Sequence, residues 1–386
     1  MKFMHKLTYL SCLYNFTVHA KHIPGVNCRC SVSFSDGDLL PPGPTCRSGP
    51  NPLRPLEGFA NGLTADVSHL WNYALSKSTR ATYDSALATF LKFLALAYGV
   101  PTTPQDSLPI VTEKTLIDFV SYCQNILHLR YDTVKLYLAG IRFHYIKCHN
   151  IDILQNNLQL NYILRAIKKR QCNFSRGLRL PITYTVLSDL CTCLSRGLFS
   201  AFVDTMLLAV FTTAFYGFLR CGEFTVSPLS TAYPLIADVT FDLDMSKFTL
   251  VLRSSKTDTF SKGVSVLIFN TNPLRPVSLM GNYLKLRLAA GATTTSPLFP
   301  DSQFSSAPLT RNSFISLLKR ALSVAGYNDS HFSGHSFRIG ACTSGAAAGV
   351  QDHLLKVLGR WTSSCYSRYI RTPPTSLSNA QQLMST

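Results

Sequence analysis

The amino-acid sequence predicts a mainly α-helical protein with a small antiparallel sheet, an α+β fold. Apolar residues recur at helical spacing over most of the chain, and short alternating runs between residues 239 and 269 are typical of strands. The chain has 386 residues, of which 46% are hydrophobic and only 15% are charged. It is therefore long and apolar enough for two or three folded domains with a sizeable core.

Residues 1–60 are predicted to be an irregular, flexible lead-in. Prolines and glycines are concentrated between residues 41 and 55 and interrupt any helical or strand period. Four side chains of this segment are of zinc-binding types: His19, His22, Cys28 and Cys30. Their spacing matches no common zinc finger, so we expect no metal site there.

Residues 61–172 are predicted to form a helical domain, with Ser78 as the N-cap of its first long helix. Two helices carry one apolar face each: Tyr83, Leu87, Phe90 and Leu94 in the first, and Val134, Leu138, Ile141 and Tyr145 in a later one. Lys135 and Arg142 lie off the second apolar face. This pattern predicts a small all-α bundle with basic faces.

Residues 177–386 are predicted to form a second, mixed domain. Helices are expected at 183–195 and 200–220, strands at 239–242, 248–252 and 264–269, a helix from Asn312 to Gly326, and helical structure from there to Tyr369. The apolar run Phe199–Leu219 is almost long enough to span a membrane, but it contains Asp204. We interpret it as a buried core helix.

The chain is strongly basic, with 37 Lys and Arg against 20 Asp and Glu and a net charge of +17. Such an excess favours a polyanionic partner, with nucleic acid ahead of an anionic membrane. Several cations are concentrated where the two predicted domains meet: Arg165, Lys168, Lys169, Arg170, Arg176 and Arg179. They indicate either a solvated face or a hinge that follows a phosphate backbone.

The 12 cysteines are scattered and include no CxxC pair. In a chain of this length they predict reduced thiols packed inside an intracellular protein rather than a disulfide framework. The N-terminal residues contain lysines before an apolar run, but no clean cleavage site follows. We therefore expect a protein that is not secreted.

Six side chains form an ordered set that suits metal-free chemistry on a phosphodiester: Arg220, Lys256, His335, Arg338, Trp361 and Tyr369. Cationic side chains neutralise phosphate oxygens, and a phenol can attack phosphorus. Since no carboxylate cluster accompanies the set, we expect neither a metal nor another cofactor. Tyr366 competes for the role of nucleophile, because it lies three residues before Tyr369 on the same side of a helix.

The order and spacing of this set resemble the signature of tyrosine recombinases, the phage-integrase superfamily, over about residues 75–386. In that family an acid stands three residues after the first arginine, and here this residue is Glu223. The family lysine lies in the hairpin loop between the second and third strands, where Lys256 stands. His335-x-x-Arg338 opens a predicted helix, as its counterpart does in the family.

The residues around the candidate nucleophile make the resemblance more specific. Leu358-Gly359-Arg360-Trp361 is similar to the family's Leu-Gly-(His or Trp), with an offset of one residue, and Tyr369 follows at the family's distance. Arg360-Trp361-Thr362-Ser363 and the pair of Tyr366 and Tyr369 most resemble the recombinases of eukaryotic DIRS-type mobile elements.

The resemblance implies a core-binding domain at 61–172 that clamps DNA and a catalytic recombinase domain at 177–386. It implies that Tyr369 attacks the scissile phosphate and forms a 3′-phosphotyrosyl link. The other implied roles are contacts of Arg220 and Arg338 with the non-bridging oxygens, an indole N–H from Trp361, proton movement by His335, protonation of the 5′-oxygen by Lys256, and support of Arg220 by Glu223.

The implied partner is double-stranded DNA, held by four protomers around two duplexes, in the nucleus if the host is eukaryotic. The expected DNA contacts come from basic side chains of the helical domain: Lys135, Arg142, Lys168, Lys169, Arg170 and Arg176. Two alternatives stay open. One is a non-catalytic DNA-binding protein derived from a mobile-element recombinase, and the other is a topoisomerase of the same mechanistic type.

Overall fold

The computed structural model describes residues 16–20, 30–34, 66–100, 108–171, 179–228, 232–253, 263–372 and 374–385. Contacts divide the chain into two compact units, 1–69 and 70–386. In the first unit, β1 (Phe16–Ala20) pairs antiparallel with β2 (Cys30–Phe34). The sequence predicts no strand within 1–60, yet both segments alternate apolar and polar residues, which favours strands. The predicted flexible stretch 35–60 lies outside the described residues.

The second unit contains a bundle of four longer helices, which a short helix at 66–73 precedes in the chain. These are α1 (Lys77–Tyr98), α2 (Glu113–Asn125), α3 (Tyr131–His149) and α4 (Leu158–Arg170). The predicted apolar faces meet in one core, where these residues are buried: Leu87, Phe90, Leu94, Val134, Leu138, Ile141 and Tyr145. Tyr83 is half-buried, and Lys135 and Arg142 are exposed as predicted.

The N-cap of α1 is Ser76, so the prediction of Ser78 is wrong by two residues. The Ser76 hydroxyl accepts a hydrogen bond from the Thr79 N–H at 3.2 Å, and its backbone is extended. Ser78 lies inside the first turn. Either serine can cap a helix, and the path of the backbone into the bundle selects between them.

The next two helices are α5 (Tyr184–Ser195) and α6 (Ala201–Tyr216). Helix α6 is buried on nearly all sides, which confirms the interpretation of this apolar run as a core helix. Its Asp204 is buried because the carboxylate accepts the backbone N–H groups of Leu198 and Phe199 at 3.1 Å. Among the described residues, no helix has the length and hydropathy needed to cross a membrane.

A three-stranded antiparallel sheet of order β3–β4–β5 follows, made of β3 (Val239–Phe241), β4 (Lys247–Leu252) and β5 (Val264–Phe269). Val239 stands opposite Leu250, and Leu252 stands opposite Val264. The inner face of β4 and β5 packs into the same core as α6. The strands agree with the predicted ones, and residues 254–262, which include Lys256, lie outside the described residues.

The rest of the chain is helical: α7 (Pro276–Ala289), α8 (Arg311–Val324), α9 (Ser336–Ala347), α10 (Asp352–Gly359) and α11 (Pro374–Leu383). Short 3₁₀ turns occur at Cys221–Glu223, Ile236–Asp238, Asp329–His331 and Ser364–Tyr369. Thr310 caps α8 through the Ser313 N–H, so this helix begins one residue before the predicted Asn312.

Helix α9, which carries the His-x-x-Arg motif, lies directly on the segment before α5. The Ile182 N–H donates to the Ser336 carbonyl at 2.9 Å. A Cβ atom on Gly340 would stand 1.6 Å from the carbonyl oxygen of Ile182. Only glycine permits this approach, because the obstacle is backbone that no side-chain rotation can move.

We predict that Gly340→Ala destabilises the protein by about 1–3 kcal/mol or more, because the added methyl group overpacks the contact with Ile182. Urea unfolding measures the effect. Gly281→Ala in α7 is the matched control, since its new Cβ would lie 3.5 Å from Met245 Cε in ordinary contact. Equal unfolding midpoints for Gly340→Ala and wild type would contradict the prediction.

Candidate active site

The sequence predicts that Arg220 ends helix α6. In the structure it instead follows a tight turn after that helix. The helix ends at Tyr216, and Phe218 adopts the left-handed conformation with φ 48°. The Leu219 N–H then bonds back to the Ala214 carbonyl at 2.9 Å, a helix-ending arrangement. Arg220 is therefore extended and leads into the 3₁₀ turn Cys221–Glu223.

Glu223 holds Arg220 in place from within its own turn. The Glu223 carboxylate accepts the Arg220 backbone N–H at 2.9 Å and the Arg220 Nη1 at 2.9 Å. The same carboxylate accepts Arg360 Nη2 at 2.8 Å. Burial alone opposes the ionised carboxylate, but the charge of Arg360 and the contacts with Arg220 outweigh it, so the pKa of Glu223 is lowered.

Arg338 is fully buried beneath two aromatic rings. Its Nη1 donates to the Phe218 carbonyl and its Nη2 donates to the Gly359 carbonyl. Its guanidinium carbon lies 4.3 Å from the Trp361 ring centroid and 5.8 Å from the Tyr369 ring centroid. Burial, followed by the charges of Arg220 and Arg360, lowers the pKa of Arg338 to about 10, so the side chain stays cationic at neutral pH.

Trp361 and Tyr369 pack on each other with ring centroids 5.1 Å apart. Trp361 is buried and also meets the Phe218 ring edge-on at 6.1 Å. Tyr369 is half-buried, and its carbonyl accepts the Thr343 hydroxyl at 3.1 Å. The same hydroxyl accepts the Arg371 N–H at 3.1 Å, so Thr343 of α9 fixes the main chain on both sides of residue 370.

Tyr366, the competing nucleophile, is directed elsewhere. It is buried, and its interaction with the carboxylate of Asp352 at the start of α10 raises the pKa of this phenol. The ammonium group of Lys356 lies 5.4 Å from the Tyr366 ring centroid. Since the Asp352 contact engages the Tyr366 hydroxyl, the geometry favours Tyr369 as the phenol of the site.

His335 stands at the start of α9, with its ring centroid 6.0 Å from that of Tyr369. The preceding Gly334 brings it there, because a Cβ on Gly334 would lie 2.5 Å from the Cys221 Cβ. The backbone before His335 therefore lies directly against the residue that follows Arg220. This close approach explains how two motifs that are far apart in sequence converge.

The imidazole of His335 lies in a positive environment. Burial lowers the pKa of His335, and the charges of Arg338 and Arg220 lower it further. Two more arginines act in the same direction, Arg179 and Arg311. The neutral imidazole is therefore the dominant form at pH 7.

The structure brings together five of the six predicted site residues, Arg220, His335, Arg338, Trp361 and Tyr369, with Glu223 as their support. Lys256 and Arg176 lie outside the described residues. Sequence reasoning did not assign three nearby arginines to this cluster: Arg311, Arg360, and Arg179, which it placed among the cations of the domain junction. Arg360 had a usable signal, since it stands inside the Leu-Gly-x-Trp motif. Arg311 had none, because it is a single arginine between polar residues and belongs to no recognised motif.

The predicted DNA contacts of the bundle fall into two groups. Four of these side chains are exposed and have no carboxylate partner among the described contacts: Lys135, Lys168, Lys169 and Arg170. Lys135 and Lys168 lie 6.0 and 5.8 Å from the ring centroid of Tyr131. Arg142 instead forms a two-point ion pair with Asp152, with its Nε at 2.8 Å, so much of its donor capacity is already used.

In the part of the chain that the structure describes, no group of three or more His, Cys, Asp or Glu side chains is arranged to hold a metal ion. What the site offers is guanidinium groups, one neutral imidazole and a phenol. This donor set is complementary to a phosphate rather than to a cation.

We predict that His335→Gln makes the protein less sensitive to acid. Because the pKa of His335 is lowered from 6.5, the unfolded chain binds this proton more tightly than the folded chain does. The stability that neutral His335 contributes is present above pH 6.5 and is lost as the pH falls through the lowered value. Urea unfolding of wild type and His335→Gln at about pH 7.5 and about pH 5 measures how much stability each protein loses in acid. Equal losses of unfolding free energy in the two proteins would refute the prediction.

Comparison with solved structures shows what this architecture is similar to. The XerH site-specific recombinase bound to palindromic difH substrate, in a post-cleavage complex, matches with a TM-score of 0.56 at 17% identity, over 79% of this chain and 80% of that chain. Its pre-cleavage complex with difH matches with a TM-score of 0.52 at 18% identity, over 79% of each chain.

A transposon enzyme is also similar. The Tn1549 transposon integrase in complex with transposon right-end DNA matches with a TM-score of 0.50 at 13% identity, over 78% of this chain and 99% of that chain. No family model matches the sequence, and no curated protein matches it. The mainly helical architecture with its three-stranded antiparallel sheet confirms the predicted α+β class, and the chain shares its fold with these site-specific recombinase and integrase structures.

Proposed function

We propose that this protein cleaves and rejoins DNA strands at a specific site through a 3′-phosphotyrosyl intermediate, as the recombinase of a DIRS-type mobile element. The observation that carries the proposal is the convergence of Arg220, His335, Arg338 and Tyr369 into one basic cluster. Remote parts of the sequence supply these residues, and a fold shared with site-specific recombinases brings them together. In a eukaryotic host the enzyme would work in the nucleus, where its DNA lies.

The proposed chemistry balances without an external energy source. The Tyr369 phenolic oxygen forms a bond to phosphorus while the bond from phosphorus to the 5′-oxygen breaks. The phenol proton passes to the neutral imidazole of His335, and Lys256 protonates the leaving oxygen. The phosphotyrosyl ester keeps the bond energy, so attack by a 5′-hydroxyl reverses the step and seals a strand.

The arginines would bind the phosphate in sequence. The Arg220 side chain is 14% exposed and is oriented by Glu223, so a phosphate reaches this guanidinium first. Arg338 lies under Trp361 and Tyr369, so a phosphate would contact it after the Tyr369 side chain turns aside. This side-chain rotation would also free the phenol to attack, while the main chain held by Thr343 stays docked.

We predict that Tyr369→Phe abolishes covalent capture of DNA and that Tyr366→Phe retains it. The two variants lose the same hydroxyl three residues apart; Tyr366 interacts with Asp352, whereas the Tyr369 ring lies near His335 and Arg338. The substrate is a pool of nicked duplexes with a randomised core, from which SDS-resistant protein–DNA adducts are recovered and sequenced. An adduct formed by Tyr369→Phe would show that another residue is the nucleophile.

A second function has one observation in its favour. Both Nη groups of Arg338 are bound to backbone carbonyls, and the side chain is fully buried, which would suit a structural arginine in a DNA-binding protein that no longer cleaves. The experiment with the pool of nicked duplexes also separates the two functions. Retention of duplexes in native gels with no SDS-resistant adduct from wild type would favour the non-catalytic protein.

The DNA partner under either function would contact the basic face of the bundle around Tyr131. We predict that Lys135→Gln and Lys168→Gln each weaken binding to duplex DNA and reduce the slope of log K against log salt by about 1, because each removes one phosphate contact. Lys114→Gln is the control, since Lys114 is paired with Asp118 at 2.7 Å. Equal salt slopes for all three variants would place DNA on another surface.

A further inference from the structure

Arg360 connects three parts of the site through one side chain. Its Nη1 donates to the Gly217 carbonyl at 2.8 Å, and its Nη2 donates to Glu223 Oε2 at 2.8 Å. Nη2 also lies 3.4 Å from the Phe218 carbonyl, which accepts Arg338 Nη1 as well. The end of α10 is thereby tied to the turn that presents Arg220.

The backbone at Arg360 is shaped for this contact. The residue adopts the left-handed conformation, with φ 55° and ψ 43°, immediately after α10. Side chains other than glycine rarely adopt this region, and they persist there when the surroundings fix the conformation. This turn directs Arg360 inward and places the next residue, Trp361, against Arg338 and Tyr369.

The carboxylate of Glu223 is shared between the two arginines. Oε1 accepts Arg220 Nη1 at 2.9 Å, while Oε2 accepts the Arg220 N–H at 2.9 Å and Arg360 Nη2 at 2.8 Å. A displacement of Arg360 removes one of the cations that stabilise the buried Glu223 charge. The orientation of the Arg220 guanidinium therefore depends on where the segment that begins at Arg360 lies.

We propose that Arg360 is a positioning residue that couples the segment carrying Trp361 and Tyr369 to Arg220 through Glu223. The phosphate-binding arginine is then fully oriented only while the nucleophile segment is docked. Arg360 does not touch the phosphate in this scheme, because both Nη groups are bound and its Nε is buried. The proposal rests on the proposed strand-cleaving function for its effect on chemistry, but the coupling itself is testable without DNA.

A tryptophan within the coupled segment can report whether that segment is docked. It contains two tryptophans, Trp71 and Trp361. In a Trp71→Phe background, the fluorescence of Trp361 reports whether its ring stays packed against Arg338. Acrylamide quenching in the absence of DNA then measures how well the segment is docked.

The test variant is Arg360→Asn, because asparagine tolerates the left-handed backbone and removes the guanidinium. We expect faster quenching of Trp361 and a rate of adduct formation lower by about 100-fold at saturating DNA, with DNA affinity unchanged. Arg360→Lys keeps the charge and should recover part of the rate. Arg196→Asn removes an exposed arginine at the end of α5 and should match wild type in both measurements.

The coupling also predicts that the effects of two substitutions on the rate of adduct formation are not additive. Arg360→Asn combined with Glu223→Gln should form adducts no more slowly than Glu223→Gln alone, because both changes break the same link. All rates are compared at a temperature where circular dichroism shows each variant folded. Additive losses, or a rate that Arg360→Lys does not improve, would reduce Arg360 to a structural contact and overturn the proposal.

The outcomes separate the two proposals. If wild type forms no adduct with any duplex, the strand-cleaving function fails, and the quenching experiment still decides the coupling. Whether or not wild type forms adducts, unchanged quenching of Trp361 in folded Arg360→Asn would overturn the proposed coupling. Faster quenching that Arg360→Lys reverses would support it.

Discussion

One buried carboxylate organises the basic cluster. Glu223 lies between the guanidinium groups of Arg220 and Arg360 and also accepts the Arg220 backbone N–H. A lone carboxylate would be costly at this depth, and the two half-buried guanidinium groups beside it would repel each other without its charge. The three groups are therefore stable only together. Their shared position fixes the turn after α6, the end of α10 and the direction in which Arg220 faces.

The remaining positive charge is handled by different means. Among the described residues, no carboxylate contacts Arg338; backbone carbonyls of Phe218 and Gly359 accept its Nη groups, and the Trp361 ring covers its face. Guanidinium is weakly hydrated and planar, so it can be buried in this way where an ammonium group would be far more costly. Burial, and then the charges of the surrounding arginines, lower the pKa of His335, and a neutral imidazole suits a proton acceptor beside a phenol.

The convergence depends on close backbone approaches as much as on charge. Gly340 lets α9 lie on the carbonyl of Ile182, and Gly334 lets the loop before His335 lie on Cys221. Because α9 carries both His335 and Arg338, these two contacts set the distance of the whole motif from Arg220. Thr343 on the same helix then fixes the main chain at Tyr369. One rigid helix thus positions residues from three parts of the sequence.

The sequence by itself determined the α+β class, the core helix α6 and the three strands, because apolar period and charge are local properties of the chain. It also indicated Arg220, His335, Arg338, Trp361 and Tyr369, since their order and spacing form a pattern. It did not locate the cap of α1 at Ser76 or the end of α6 at Tyr216, where neighbouring residues of similar propensity compete.

Only the tertiary structure shows the surroundings of the two phenols and the partner of Arg360. The sequence favours Tyr369 by its distance from Trp361; in the structure the Tyr369 ring lies near His335 and Arg338, whereas Tyr366 interacts with Asp352. The sequence places Arg360 within the Leu-Gly-x-Trp motif but indicates no partner for it, and in the structure the left-handed turn directs it to Glu223. The physical reason is common to both cases. A side chain's partner depends on contacts between residues far apart in the chain, and no local period encodes such contacts.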